Sequence, residues 1–160
     1  MEPTFKGMEN KQFQLVGINR FVKWEDDFDK ILKESENEFQ NKFHLIKNMI
    51  DPAKRINYFY SETGMQDGFN HLLCVEVNEI SNIPDGLLSR TLIQSEFVVF
   101  VADLGKGGDY ARQIWLPQSG YTENYEVFGD LEIYEPGKNV CEFWLPVSSN
   151  KQNEKLTKEI

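Results

Sequence analysis

Cysteine is scarce in this 160-residue chain, and the two that occur do not form a CxxC pair. Cys74 and Cys141 each lie in an apolar run typical of a strand. We therefore expect two buried free thiols, although a disulfide between distant strands remains an alternative. Histidine is equally scarce, and neither His44 nor His71 has a carboxylate or cysteine at ligand spacing. The sequence thus predicts no metal site and no cofactor.

An excess of basic charge and long apolar runs are also missing. The formal net charge is −9 at pH 7, which argues against direct nucleic-acid binding, because such a surface needs lysine and arginine to displace counterions. No apolar run approaches membrane-spanning length, and residues 1–10 lack the apolar core of a signal peptide. We therefore expect a cytoplasmic protein that contacts neither nucleic acid nor a membrane.

Two common enzyme motifs are absent as well. The glycine-rich segment 105–108 contains a lysine but does not match a phosphate-binding loop, and we interpret it as a flexible loop. The Ser119-Gly120 pair follows a proline and lacks the G-x-S-x-G pattern of serine hydrolases. These observations exclude the usual sequence signatures of nucleotide binding and serine catalysis.

Apolar periodicity predicts two successive units of strand, helix, strand and strand. The predicted elements are a strand at 12–21 with a bulge near Gly17, a helix within 24–50 begun by Asp26 or Asp27, strands at 57–62, 71–80 and 92–103, a short helix at 109–116, and strands at 126–134 and 140–147. Hydrophobic residues make up 40% of the chain, enough for one core. The sequence therefore predicts an α+β fold, with helices packed on an antiparallel sheet, followed by a polar, disordered tail at 148–160.

An acidic residue interrupts the apolar strand that closes the predicted domain. Glu142 shares one strand face with Val140 and Trp144, while the residues between them point the other way. A carboxylate beside a tryptophan can hold a cation through both charge and the ring face. Because an unpaired buried carboxylate is costly, we expect it to have a partner. That partner is either a lysine or arginine of this chain or a ligand from outside.

Other aromatic residues pair on strand faces in the same way. Tyr58 shares a face with Tyr60, Tyr134 shares one with Glu132, and Trp115 ends the short helix. If these faces converge, they form an aromatic box with one or two carboxylates, which suits flat cationic or amphiphilic molecules. The alternative for each ring is ordinary core packing.

Six short segments in a fixed order carry a family resemblance. They are CVEV at 74–77, IPDGL at 83–87, EFVVF at 96–100, WLPQSGY at 115–121, LEIY at 131–134 and EFWLPV at 142–147. With them, residues 72–147 resemble the effector-binding, or gyrase-inhibitor-like, domain family. Its members are fused to AraC- and MerR-type regulators or stand alone, as integron-cassette proteins do.

The resemblance implies a single effector-binding domain over residues 1–147, with a ligand groove at the junction of the two units. In this family the groove takes bulky molecules that are often cationic or aromatic. Family matches and strand parity together give a predicted ligand-binding set of Glu142, Trp115, Tyr134, Trp144, Tyr58 and Tyr60. Two departures affect the groove: the segment before Trp115 is short, and Cys74 stands where relatives often have glycine.

Three functions are compatible with this pattern. We favour a stand-alone binding protein for cationic or amphiphilic aromatic compounds, which acts as a sensor, a sequestering protein or an accessory module. A second hypothesis is a hydrolase of strained electrophilic natural products. In it Glu142 is the general base, with a pKa raised by apolar walls, and Tyr134 donates a hydrogen bond. A third is an inhibitor that binds a protein partner through its acidic surface.

Overall fold

A computed structural model describes residues 1–62 and 66–149, and within them nine strands form one antiparallel sheet. The strands are β1 Thr4–Lys11, β2 Gln14–Lys23, β3 Arg55–Tyr60, β4 Gly68–Glu76, β5 Leu88–Thr91, β6 Ser95–Asp103, β7 Tyr121–Glu123, β8 Asp130–Tyr134 and β9 Val140–Ser149. Their order across the sheet is β1-β6-β9-β8-β3-β4-β2-β5, and β7 pairs with β9 beside this path.

The predicted duplication is confirmed. Strand β2, helix α1 (Phe28–Lys42), β3 and β4 form the first unit. The second consists of β6, a helical segment, β8 and β9; the segment is built from Gly107–Asp109, a π-helical stretch Tyr110–Trp115 and Leu116–Ser119. Within each unit the last strand lies between the other two, and β3 pairs with β8 to join the units. The result is the expected α+β fold.

Helix α1 is shorter than the apolar pattern predicts. Asp27 caps its start by accepting a hydrogen bond from the Lys30 amide at 3.4 Å. After Lys42 the chain continues as a 3-10 turn, Phe43–Leu45, and Asn48 then takes a positive φ of 67°. The helical spacing of apolar residues continues beyond the end of α1, because later side chains, including Ile46, pack on the same core although their backbone is not helical.

The predicted bulge at Gly17 does not occur, because β2 pairs with β4 without interruption. The apolar positions change parity there because both faces of β2 are buried. Leu15 packs in one cluster, whereas Val16 and Ile18 pack under α1. Glycine is required by close approach, since a Cβ at Gly17 would lie 1.9 Å from the Leu73 carbonyl oxygen.

The sheet has two differently covered faces. On the helix face, α1 packs over a cluster that includes Val16 and Leu73, and the second helical segment packs over one that includes Phe143. The opposite face, here called the cleft face, is crossed by the β1–β2 and β5–β6 connections, whose Phe13 and Leu92 enter its core. Strand β9 runs to Ser149, two residues past the predicted end; residues 150–160 of the predicted tail lie outside the described residues.

A buried polar chain occupies the helix face where the two units meet. Asn57 of β3 pairs in register with Glu132 of β8, and its Nδ2 donates to Glu132 Oε1 at 3.4 Å. The Gly105 amide donates to Glu132 Oε2 at 2.6 Å. His71 is fully buried, with Nε2 2.8 Å from Asn57 Oδ1, so Nε2 donates. Burial lowers the pKa of His71 to about 4.

This imidazole makes the stability of the fold depend on pH. The unfolded chain protonates His71 near pH 6.5, but the folded chain does so only near pH 4, so acidification between these values favours unfolding. We expect His71 to account for a loss of up to about 3 kcal/mol of the free energy of unfolding across this window. Urea unfolding at several pH values measures the loss, which His71→Gln should reduce.

His44→Gln is the matched control, because His44 is exposed. Its pH profile should coincide with that of the unmodified protein. Equal acid sensitivity in His71→Gln and the unmodified protein would show that the buried imidazole does not cause the effect.

Candidate functional site

Strand register brings one row of side chains together on the cleft face at the junction of the units. Glu142 of β9 lies opposite Ile133 of β8, Ile133 lies opposite Ile56 of β3, and Ile56 lies opposite Cys74 of β4. Trp144 follows one row further along β9, opposite Leu131. The carboxylate therefore stands in an otherwise apolar row.

Glu142 has partners within the chain. The Lys6 ammonium of β1 forms an ion pair with Oε2, and Trp144 Nε1 donates to Oε1 at 3.2 Å. The Glu142 side chain is 29% exposed and that of Lys6 is 55% exposed. Of the two partners that the sequence allowed, the structure places the chain's own lysine on the carboxylate.

The ion pair also fixes the acidity of Glu142. Burial raises its pKa, but the hydrogen bonds from Lys6 and Trp144 and the charge of Lys6 outweigh burial, so the pKa of Glu142 is lowered. The expectation that apolar walls would raise this pKa is therefore wrong. A lowered pKa does not suit a general base, which works best with a pKa near the operating pH.

A cavity of about 210 Å³ opens beside the carboxylate. It is lined by Lys11, Phe13, Asp51, Lys54, Ile56, Glu76, Ile133, Glu142 and Trp144. Phe13 and Trp144 meet edge to face with ring centroids 5.3 Å apart, and Phe97 packs against both. These rings fill the middle of the cleft face, so the cavity is confined to the Glu142 end.

Tyr58 and Tyr60 lie on the same face but line a different cavity. Their rings stack at 4.7 Å, and both residues are buried. Tyr58 donates to the Val127 carbonyl at 3.0 Å, and Tyr60 donates to Asn19 Oδ1 at 2.7 Å. With Arg90 and neighbouring residues they line a cavity of about 340 Å³ that does not include Glu142.

Trp115 and Tyr134 lie on the helix face. Trp115 stacks on Phe5 and Tyr121, with centroid distances of 6.4 and 5.6 Å. Tyr134 pairs in register with Cys141, the neighbour of Glu142, and so points away from the cleft. Of the six predicted residues, only Trp144 therefore shares a cavity with Glu142, whereas Tyr58 and Tyr60 share a different one.

Several side chains at this cavity were not predicted from the sequence. Lys6 belongs to a strand whose mixed sequence gave no signal. Ile133 was interpreted only as a strand residue, and Ile56 lies one residue before the predicted strand 57–62, within the observed β3. Phe13 carried a signal, because it alternates with Leu15 into the same buried cluster. Cys74 is a buried free thiol that donates weakly to the Ile56 carbonyl at 3.5 Å, and Cys141 is also free and buried.

Residues 1–62 and 66–149 contain no group of three or more His, Cys, Asp or Glu side chains placed to hold a metal ion. Within the same ranges, none of the helices combines the length and the apolar character needed to span a membrane.

Sequence comparison identifies the family. The model of the Cass2 family, the integron-associated effector binding proteins, matches residues 8–147. The chain belongs to this family, which confirms the resemblance found in its sequence segments. No curated protein is similar enough to this chain to count as a match.

Solved structures confirm the fold. SAV2435 bound to tetraphenylphosphonium superposes with a TM-score of 0.69 at 18% identity, covering 92% of this chain and 96% of that one. An integron cassette protein from Vibrio cholerae gives 0.52 at 15% identity, with coverage of 92% and 100%. EcmrR in a complex with DNA gives 0.68 at 13% identity over 92% of this chain, which spans only 58% of the EcmrR chain.

Removing the internal cation should change the acidity of the candidate site. In Lys6→Met, Glu142 keeps its burial, the Trp144 hydrogen bond and the Lys54 charge but loses the bond and charge of Lys6. We therefore expect the pKa of Glu142 to rise relative to the unmodified protein. NMR titration of the side-chain carboxyl carbon measures the shift.

Lys138→Met is the control, because Lys138 pairs with Glu135 in an exposed turn. That substitution should leave the Glu142 titration unchanged. An identical Glu142 pKa in Lys6→Met and the unmodified protein would mean that the ion pair does not form in solution.

Proposed function

We propose that this protein binds a small organic monocation at the Glu142 carboxylate on the cleft face, and that it acts as a sensor, a sequestering protein or an accessory module. The observation that carries the proposal is the Lys6–Glu142 pair, in which a primary ammonium already sits on this carboxylate. Membership of an effector-binding family supports a small-molecule role. So does the tetraphenylphosphonium bound to SAV2435, a structure of the same fold.

Lys6 can give up its place to a ligand at low cost. Its side chain is 55% exposed and projects from a strand whose pairing shifts register between Phe5 and Gly7. Ion pairs this exposed contribute about 0–1 kcal/mol to the free energy of unfolding, because water and salt screen the charges and the lysine side chain loses conformational freedom. A ligand cation that also buries apolar surface against Ile56, Ile133 and Trp144 gains hydrophobic binding free energy that the Lys6 ammonium does not.

The charges around the cavity favour a single positive charge on the ligand. Its lining contains three carboxylates, Asp51, Glu76 and Glu142, and two ammonium groups, Lys11 and Lys54. With Lys6 displaced, the lining carries a net charge of −1. Lys11 and Glu76 bind each other at 2.9 Å, and Asp51 Oδ1 accepts a hydrogen bond from the Ala53 amide at 3.0 Å. Glu142 is the carboxylate that loses its ion-pair partner when Lys6 leaves.

The volume of the cavity limits the size of the ligand. About 210 Å³ is less than the roughly 300–1,000 Å³ typical of drug-sized ligand sites. We therefore expect phenyltrimethylammonium to bind more tightly than tetraphenylphosphonium, unless Lys6 and β1 move aside. Trp144 orients the carboxylate through its indole N–H and is itself only 8% exposed, so it positions Glu142 more than it stacks on a ligand.

Calorimetric titration with phenyltrimethylammonium tests the proposal. Glu142→Gln should weaken binding by roughly 10- to 100-fold, because the quaternary ammonium loses its counter-charge in a partly desolvated site. Lys6→Met should strengthen binding, because the competing ammonium is removed. The two opposite effects from the two halves of one ion pair are difficult to obtain from nonspecific binding.

Glu38→Gln serves as the control, since Glu38 of α1 pairs with Arg20 and Lys42, and none of these three residues lines the cavity. It should bind the cation as the unmodified protein does. Absence of binding in both the unmodified protein and Lys6→Met at high micromolar protein, or unchanged affinity in Glu142→Gln, would refute the proposal.

A further inference from the structure

A larger cavity lies on the helix face, outside the site described above. Its volume is about 490 Å³, within the roughly 300–1,000 Å³ range of small-molecule sites. It is lined by Glu36, Phe39, Gln40, Phe43, Arg55, Leu73, Tyr134, Pro136 and Gly137. These residues belong to α1, the 3-10 turn, β3, β4, β8 and the turn between β8 and β9, so the cavity lies across the junction of the two units.

The cavity exists because neither helix covers the central strand pair. Helix α1 packs on β2 and β4, and the second helical segment packs on β6 and β9. The second helical segment is short, so it does not reach across β8 towards α1. The outer end of the β3–β8 pair, where Arg55 lies opposite Tyr134, remains open.

Arg55 contributes a fixed positive charge to this cavity. Its Nη1 donates to the Pro52 carbonyl at 2.8 Å and to the Lys54 carbonyl at 2.9 Å. These bonds hold the guanidinium over two rings, 4.4 Å from the Phe43 centroid and 5.3 Å from that of Phe39. The guanidinium is therefore held against the aromatic wall in one orientation.

This guanidinium is not neutralised by a carboxylate of the described chain. The three other arginines, Arg20, Arg90 and Arg112, each bind an acidic side chain. Arg55 forms no such ion pair within residues 1–62 and 66–149, although it is half-buried. Desolvation accordingly lowers the pKa of Arg55, as expected for a cation without a close anion.

Tyr134 supplies a second donor. Its hydroxyl makes no hydrogen bond to any residue in the part of the chain that the structure describes. Burial, together with the nearby Glu36 carboxylate, raises the pKa of Tyr134, so the phenol stays protonated at neutral pH and can donate. Arg55 and Tyr134 are cross-strand neighbours, and together they match the two oxygens of a carboxylate.

We propose that this cavity is a second small-molecule site, which binds an aromatic monocarboxylate. The carboxylate accepts hydrogen bonds from Arg55 and Tyr134, and the aromatic ring packs against Phe39, Phe43 and Leu73. Glu36, on the exposed side of α1, disfavours a second negative charge on the ligand. The site lies on the opposite face of the sheet from Glu142 and selects the opposite charge, so it does not depend on cation binding there.

Calorimetric and NMR titration with 2-naphthoate tests the site, with 2-naphthamide as the uncharged analogue. We expect the carboxylate to bind more tightly than the amide and to shift the ring resonances of Phe39 and Phe43. Arg55→Gln should weaken 2-naphthoate binding by about 10- to 100-fold, and Tyr134→Phe by several-fold. Glu36→Gln should leave binding unchanged or strengthen it.

Glu142→Gln is the matched control, because it alters the cleft-face carboxylate alone and should not affect 2-naphthoate. Tyr134→Phe decides the outcome if Arg55→Gln does not fold. Equal binding of the acid and the amide, or the same affinity for 2-naphthoate in Tyr134→Phe and the unmodified protein, would overturn the proposal. So would the absence of binding at millimolar ligand.

Discussion

The pairing of β3 with β8 is the contact on which the architecture depends. Each unit builds its own three-stranded sheet, and this antiparallel ladder makes the two into one. Asn57 and Glu132 face each other at its centre, and the side-chain hydrogen bonds that satisfy them also engage His71 and the Gly105 amide. These bonds matter because an unpaired buried polar group costs about 1–3 kcal/mol. Within the described residues, His71 Nδ1 is the side-chain atom of this polar chain that lacks a partner.

The same ladder separates the chemistry of the two faces. Because side chains alternate along a strand, consecutive pairs across β3 and β8 point to opposite sides. Ile56 and Ile133 form the apolar floor beneath Glu142 on the cleft face, whereas Arg55 and Tyr134 open on the helix face. One sheet junction therefore presents a carboxylate on one side and a guanidinium on the other.

The sequence predicted the two units, the face shared by Glu142 and Trp144, and the family. It did not predict how the strands align, and parity within a strand cannot show which side chains of different strands share a face. Tyr134 pairs with Cys141, one residue from Glu142, and that single step moves it to the other face. Strand β1 escaped prediction because its exposed, mixed sequence lacks alternation, so Lys6 could not be anticipated as the partner of Glu142.

An ion pair between Glu142 and a lysine of the same chain does not rule out ligand binding at this carboxylate. An empty carboxylate among apolar side chains carries a desolvation cost, which a lysine of the same chain offsets when no ligand is bound. A flexible, exposed lysine is suited to this task, because its strongly hydrated ammonium returns to water readily. A half-buried arginine in a bidentate pair, such as Arg112 with Glu123, would be far harder to displace. The exposure of Lys6 is thus what makes the internal ion pair compatible with a binding site.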